Sequence, residues 1–179
     1  YYPQIEDTCL VIGLGLVGNL VAQVARLKGL RVIGMEPNAS RRERARTVGF
    51  TDLVDPTAGD PVAAVKALTE GRGAGLTVNA SGVADTFMTA IACTATGGEL
   101  STLGGVRGET KHTLQPFLTQ VQQRHVTIRG GWEMLLPRRF TPGNGRPCTE
   151  RNLEQALRWL VTNQIQVDPL WTHTLQPAE

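Results

Sequence analysis

The chain has 179 residues, enough for one domain with a sizeable core or a domain with an appendage. Its composition, 41% hydrophobic and 19% charged, is that of a globular protein, and a formal net charge of +2 is too small to argue for nucleic acid or an acidic membrane surface. No apolar run approaches the ~20 residues that span a bilayer, no targeting segment is evident, and Cys9, Cys93 and Cys148 form neither a disulfide framework nor metal-ligand spacing, so a reducing, cytoplasmic setting is expected.

In chain order, Cys9-Leu10-Val11-Ile12 reads as a buried strand. Gly13-Leu14-Gly15-Leu16-Val17-Gly18 follows directly, then a helix with Val17, Leu20, Val21, Val24 and Leu27 at helical spacing and Gly29 as its stop. A second strand, Arg31 to Glu36, leads through Pro37 to Ser40-Arg41-Arg42-Glu43, a Ser-x-x-Glu capping box for a helix ending near Gly49. Phe50–Val54 is a third strand. Asp60 is a helix cap with Pro61 at the first helical position, and Val62, Val65 and Leu68 face inward. Leu76–Asn79 is strand four, Ser81-Gly82 opens a helix closed by Gly97-Gly98, and Glu99–Leu103 is strand five. Pro116 starts a helix, Val126–Arg129 is strand six, a basic loop spans 136–148, and Thr149 caps a last helix.

Strands alternating with helices predict an α/β fold: a Rossmann-type doubly wound six-stranded parallel sheet with helices on both faces. A G-x-G-x-x-G between strand and helix permits a tight turn, close approach of backbone N–H groups to a pyrophosphate, and close packing of helix on strand. The helix N-terminus then favours the phosphate charge, and Glu36, at the end of the next strand, is placed to accept from both ribose hydroxyls. These features point to a dinucleotide, NAD(H) before NADP(H), because a carboxylate repels a 2′-phosphate. The basic cluster Arg41, Arg42 and Arg44 is the counterweight.

Other chemistries find little footing. There is no Tyr-x-x-x-Lys, Gly-x-Ser-x-Gly or Walker sequence. His112, His125 and His173 read as surface or packing residues, and Cys9 and Cys93 as inert core thiols.

The segments VIGLGLVGNLVAQVARLKG, EPNASR, VNASG, ATGGELSTLGG and LWTHTLQPAE resemble the cofactor domain of the medium-chain, zinc-type alcohol dehydrogenase superfamily. The resemblance implies one dinucleotide-binding domain over 1–179, with a core at about 7–132 and a C-terminal helix and return segment at 149–179. It assigns Gly13, Gly15, Leu16, Val17 and Gly18 to the pyrophosphate, Glu36 and Arg41 to the adenosine ribose, and Ser81 and Gly82 to the passage of the cofactor over strand four. Gly104, Gly105 and Val106 match the loop beside the nicotinamide, and Gly130, Gly131 and Trp132 the segment meeting its carboxamide; Trp132 reads equally well as cover for a sheet edge. The family's catalytic domain, with its zinc, is expected to be absent here, so the chain alone is expected to be inactive and to hold no catalytic residue or metal. In the complete enzyme the substrate would be a small alcohol or carbonyl compound, with a homodimer formed edge to edge through the last strand. A non-catalytic dinucleotide-binding sensor or assembly module is the alternative, and an S-adenosylmethionine-dependent methyltransferase a third reading.

Overall fold

The computed structural model describes residues 7–103, 105–131, 136–139 and 148–176. It divides into two compact units, Tyr1–Glu133 and Met134–Glu179.

The first unit carries β1 (Thr8–Ile12), α1 (Leu16–Leu27), β2 (Arg31–Met35), α2 (Ala39–Thr47), β3 (Leu53–Val54) and α3 (Pro61–Leu68). It continues with β4 (Ala74–Asn79), α4 (Thr86–Cys93), β5 (Thr94–Thr102), α5 (Leu114–Gln123) and β6 (Thr127–Gly130). The six strands pair in parallel in the order β3-β2-β1-β4-β5-β6. The Rossmann-type sheet expected from the alternation is therefore present, and its order reverses between β1 and β4.

Period-two alternation divides the core. Leu10, Ile12, Ile33 and Met35 point to one face, against Val65 of α3, Ile91 of α4 and partly buried Phe117 and Val121 of α5. Cys9, Val11 and Val32 point to the other, against Ala22 and Ala25 of α1 and Ala45 of α2. Both faces are covered, which is why the strands read as unbroken apolar runs.

Several boundaries differ from the sequence expectation. The fully buried positions of α1 are Gly18, Asn19, Ala22, Gln23 and Ala25, while Val17 and Leu27 are exposed. Gly18, Ala22 and Ala25 share this face with Asn19 and Gln23, which bond to each other, and the larger aliphatic side chains lie on its flanks. Helix α2 is capped by Asn38, whose side chain accepts from the Arg41 N–H, so Ser40 is inside the helix and forms no capping box. Strand β3 pairs only through Leu53 and Val54, because Phe50 turns into the core beneath the Arg26 guanidinium. Asp60 caps α3 as expected, accepting from Val62 and Ala63.

Helix α4 begins at Thr86 rather than Ser81, since Gly82 has φ +69°, outside the helical region. It ends at Cys93, and β5 runs on through Gly97 and Gly98; a Cβ at Gly98 would lie 2.8 Å from the Gly75 carbonyl oxygen. Pro116 is the third residue of α5, where no helical N–H bond is lost. Strand β6 is shifted by one residue from Val126–Arg129.

The second unit contains α6 (Thr149–Val161) and a 3-10 turn at Asp168–Leu170. Cys148, not Thr149, occupies the cap position of α6. Most of the basic loop, residues 140–147, lies outside the described residues.

Candidate functional site

Beyond the carboxyl ends of β1, β2 and β4 lies a cleft of about 470 Å³. Gly13, Gly15, Leu16, Val17 and Gly18 form its floor, Glu36 and Arg41 one end, and Ser81 another wall.

The glycines serve different purposes. Gly13 has φ +88°, and a Cβ there would stand 2.9 Å from Ser81 Cα. A Cβ on Gly18 would stand 1.8 Å from the Gly13 carbonyl oxygen, so helix and turn meet only because that position is bare. Gly15 is neither strained nor crowded: its φ is −62°, and a Cβ would find only the Arg41 guanidinium, 4.0 Å away. Two glycines are required by the fold, whereas the third keeps open a space that the described residues leave unfilled.

That space faces the start of α1. The first helical bond there runs from the Asn19 N–H to the Gly15 carbonyl, so the N–H groups of Leu16, Val17 and Gly18 have no helical acceptor. No acidic residue occupies this first turn, and Gly15 offers no side-chain cap. The positive end of the helix dipole thus meets an open cradle suited to an anion.

Glu36 is 2% exposed. Its Oε2 accepts from the Leu14 N–H at 2.8 Å and its Oε1 from the Asn38 N–H at 3.0 Å, which ties the glycine turn to the entry of α2. A carboxylate has about four acceptor positions, so two hydroxyl donors can still be taken. Arg41 Nη1 lies 3.6 Å from Oε2 and is half exposed along the cleft. Arg42 is occupied elsewhere: it donates to the carbonyls of Glu36 and Pro37 at 2.7 and 2.6 Å and pairs with Asp55 at 2.7 Å. Arg44 does not line the cleft.

The wall after β4 is a hydroxyl network. Ser81 Oγ lies 2.8 Å from Asn79 Oδ1 and 2.8 Å from Thr86 Oγ1, and the Asn79 amide donates to Thr86 at 2.9 Å. Thr86, Thr89, Val83, Pro37 and Pro56 also line the cleft, and the sequence reading assigned none of them to the site. Pro56 reaches it through the β3–α3 loop and Thr86 through the late start of α4, neither of which leaves a motif.

Of the remaining expected positions, Gly82, Gly105, Val106 and Gly131 do not line this cleft. Val106, 57% exposed, lines a second, more apolar cleft of about 400 Å³ with Phe87, Met88 and Phe117. Gly82 and Gly105 stand close together, a Cβ on the former lying 3.1 Å from the Gly105 carbonyl. The Gly131 N–H donates to the Thr102 carbonyl at 2.9 Å, continuing the β5–β6 ladder. Gly104 and Trp132 lie outside the described residues.

His112, His125 and His173 are exposed, and among the described residues no group of three His, Cys, Asp or Glu side chains is placed to hold a metal. Cys9 and Cys93 are fully buried, and burial pushes both thiols up to about 12. No helix is long and apolar enough to cross a membrane among the described residues.

Fold and cleft together define an open α/β domain with a glycine turn at its topological switch point. The zinc-binding dehydrogenase family model matches residues 17–141, and the chain belongs to that family. It is 28% identical to alcohol dehydrogenase 1 of Oryza sativa subsp. indica over 179 residues, covering 99% of this chain and 44% of that protein. It is 35% identical to a probable alcohol dehydrogenase of Pseudomonas sp. over 96 residues, 53% of this chain and 30% of the relative. Galactitol-1-phosphate dehydrogenase of Escherichia coli has the same fold, with TM-score 0.75 and 20% identity over 92% of this chain and 45% of that one. The matched part covers less than half the length of each of these proteins.

Proposed function

We propose that this chain is the NAD(H)-binding part of a zinc-type medium-chain dehydrogenase. The observation that carries the reading is Gly15: the fold does not require a glycine there, and its bare Cα opens onto free N–H groups at the start of α1. A pyrophosphate fits that cradle, and the free acceptor positions of Glu36 fit the two hydroxyls of an adenosine ribose. Leu16, Val17 and Gly18 would hold the phosphates, Arg41 would lie beside the ribose, and Ser81 would border the path toward β4. Gly82, Gly104, Gly105, Val106, Gly131 and Trp132 would serve the nicotinamide half.

The cofactor, when bound, supplies a hydride acceptor or donor at its nicotinamide ring. The chain's own share is binding and orientation. Exchange of hydride with a small alcohol or carbonyl compound, and the zinc that would polarise its oxygen, belong to the complete enzyme; this chain alone would be inactive. Pairing of two copies through the exposed edge strand β6 and a cytoplasmic setting complete the proposal.

Calorimetric titration with NADH and NADPH, beside Glu36→Gln, tests it. NADH should bind more tightly than NADPH, and the substitution should weaken NADH about ten-fold or more, the scale of a hydrogen bond to a charged group. A preference for NADPH, or unchanged NADH binding in Glu36→Gln, would overturn the assignment.

A further inference from the structure

Resting on the dinucleotide reading, we infer that Asp85 is a positioning residue that holds the loop after β5 in place as the wall for the second half of the cofactor. A dinucleotide anchored at Glu36 beyond β2 and at Gly15 beyond β1 continues toward the carboxyl ends of β4 and β5, the next strands in the sheet. The loop following β5 therefore borders whatever lies past the pyrophosphate.

Three described bonds fasten this loop to the segment between β4 and α4. The Arg107 N–H donates to the Gly82 carbonyl at 2.8 Å, and the Ala84 N–H to the Arg107 carbonyl at 3.2 Å, forming an isolated parallel bridge between Val83 and Arg107. The third bond runs from the Lys111 N–H to Asp85 Oδ1 at 2.9 Å. The first two are backbone to backbone and need no particular side chain. The third depends on Asp85.

Asp85 stands at the cap position of α4, where an aspartate ordinarily accepts from its own helix. Here its side chain makes no cap bond. The Lys111 N–H, and after it the Thr110 hydroxyl, hold its carboxyl below the usual aspartate range, so the acceptor is committed to the loop across the gap. Because the capping role is not in use, replacing Asp85 should release the loop without unwinding α4. Val83, on the same segment, and Thr86, the first residue of α4, line the cleft, so the latch joins one wall of the adenosine side to the wall of the other half.

The test compares Asp85→Ala and Asp85→Asn with the wild-type chain, using NADH and ADP-ribose, which lacks the nicotinamide, as calorimetric probes. Asp85→Ala should raise the Kd for NADH about five-fold or more while leaving ADP-ribose within about two-fold, the difference expected when one such hydrogen bond is lost on one side of the site. Asp85→Asn, which keeps an acceptor oxygen, should restore NADH binding. Equal weakening of both probes by Asp85→Ala, no weakening of either, or failure of Asp85→Asn to restore binding overturns the positioning role while the dinucleotide reading stands. A wild-type chain that binds neither probe overturns both.

Discussion

Gly15→Ala and Gly18→Ala should separate what the glycine turn does for the fold from what it does for a ligand. In Gly18→Ala the new methyl would sit 1.8 Å from the Gly13 carbonyl oxygen and 2.9 Å from its carbon, both backbone atoms. The turn has little room to yield, since the Gly13 N–H is bonded to the Met35 carbonyl at 2.8 Å. Restoring ordinary contact needs a retreat of α1 by roughly 1.5 Å, and overpacking of this kind costs about 3 kcal/mol, the upper part of its usual range. With urea slopes of about 1–3 kcal/mol/M, the midpoint should fall by roughly 1–3 M. In Gly15→Ala the backbone angles suit any residue and the methyl meets only Arg41. A small loss of capping and a small gain from a stiffer unfolded chain should nearly cancel, to within about 1 kcal/mol. The methyl would nevertheless stand where a phosphate must approach the Leu16 and Val17 N–H groups. Losing one charge-assisted hydrogen bond there is worth about 1.5–3 kcal/mol, or roughly 10- to 150-fold in NADH affinity. Urea unfolding followed by circular dichroism and NADH fluorescence titration read the two effects independently. If Gly15→Ala bound NADH as the wild type does, or unfolded as early as Gly18→Ala, the division of labour would be wrong.

Cys9 and Cys93, with thiols pushed up to about 12 chiefly by burial, should carry only about 10⁻⁴ thiolate at pH 8. Thiol-reagent labelling resolved by peptide mass spectrometry should find both protected until the chain is unfolded; prompt labelling of either in the folded chain would contradict its burial. The Asp55 carboxyl is held below its usual range by the Thr57 hydroxyl first, then the Thr57 N–H, with a smaller contribution from Arg42. A depressed folded value means that its stabilisation is present above the ordinary aspartate range and is lost as pH falls through the folded value. Urea midpoints between pH 3 and 7 should accordingly decline less steeply on the acid side in Asp55→Asn, and an unchanged acid limb would remove Asp55 from the pH dependence.

What could be read from the sequence was what is local to it. The demand on Gly18 arises within six residues, at the Gly13 carbonyl, and Glu36 is found by counting from the last glycine to the end of the next apolar run. Alternating runs sufficed for the parallel sheet because both faces of each central strand are buried. Choices settled by tertiary contacts were not legible. Ser40 and Asn38 are both acceptable caps, but the Asn38 N–H is drawn to Glu36, and α2 starts at the next residue, Ala39. The aliphatic pattern of α1 did not reveal its buried positions, which pair the small Gly18, Ala22 and Ala25 with the polar Asn19 and Gln23, whose side chains bond to each other. Ser81 lost its role as a helix start to a network whose members, Asn79 and Thr86, lie on different elements.

Under the proposed function, the arrangement around Glu36 also bears on which dinucleotide the cleft should prefer. By composition the helix after β2 is rich in arginine, and that alone would favour a 2′-phosphate. Geometry reverses the inference. Arg42 is held by two carbonyls and Asp55, Arg44 does not line the cleft, and among the described arginines only Arg41 does, already 3.6 Å from the Glu36 carboxylate. A 2′-phosphate would have to settle against that buried carboxylate, where each pair of like charges ~4 Å apart costs about 4 kcal/mol at an effective dielectric constant of ~20. One half-exposed guanidinium, shared with the carboxylate it would have to offset, cannot reverse a repulsion of that size. A ribose bearing two free hydroxyls meets no such penalty and fills the acceptor positions that the Leu14 and Asn38 N–H groups leave open. The number of arginines is thus a poor guide to the cofactor; where Arg42 spends its donors is the better one.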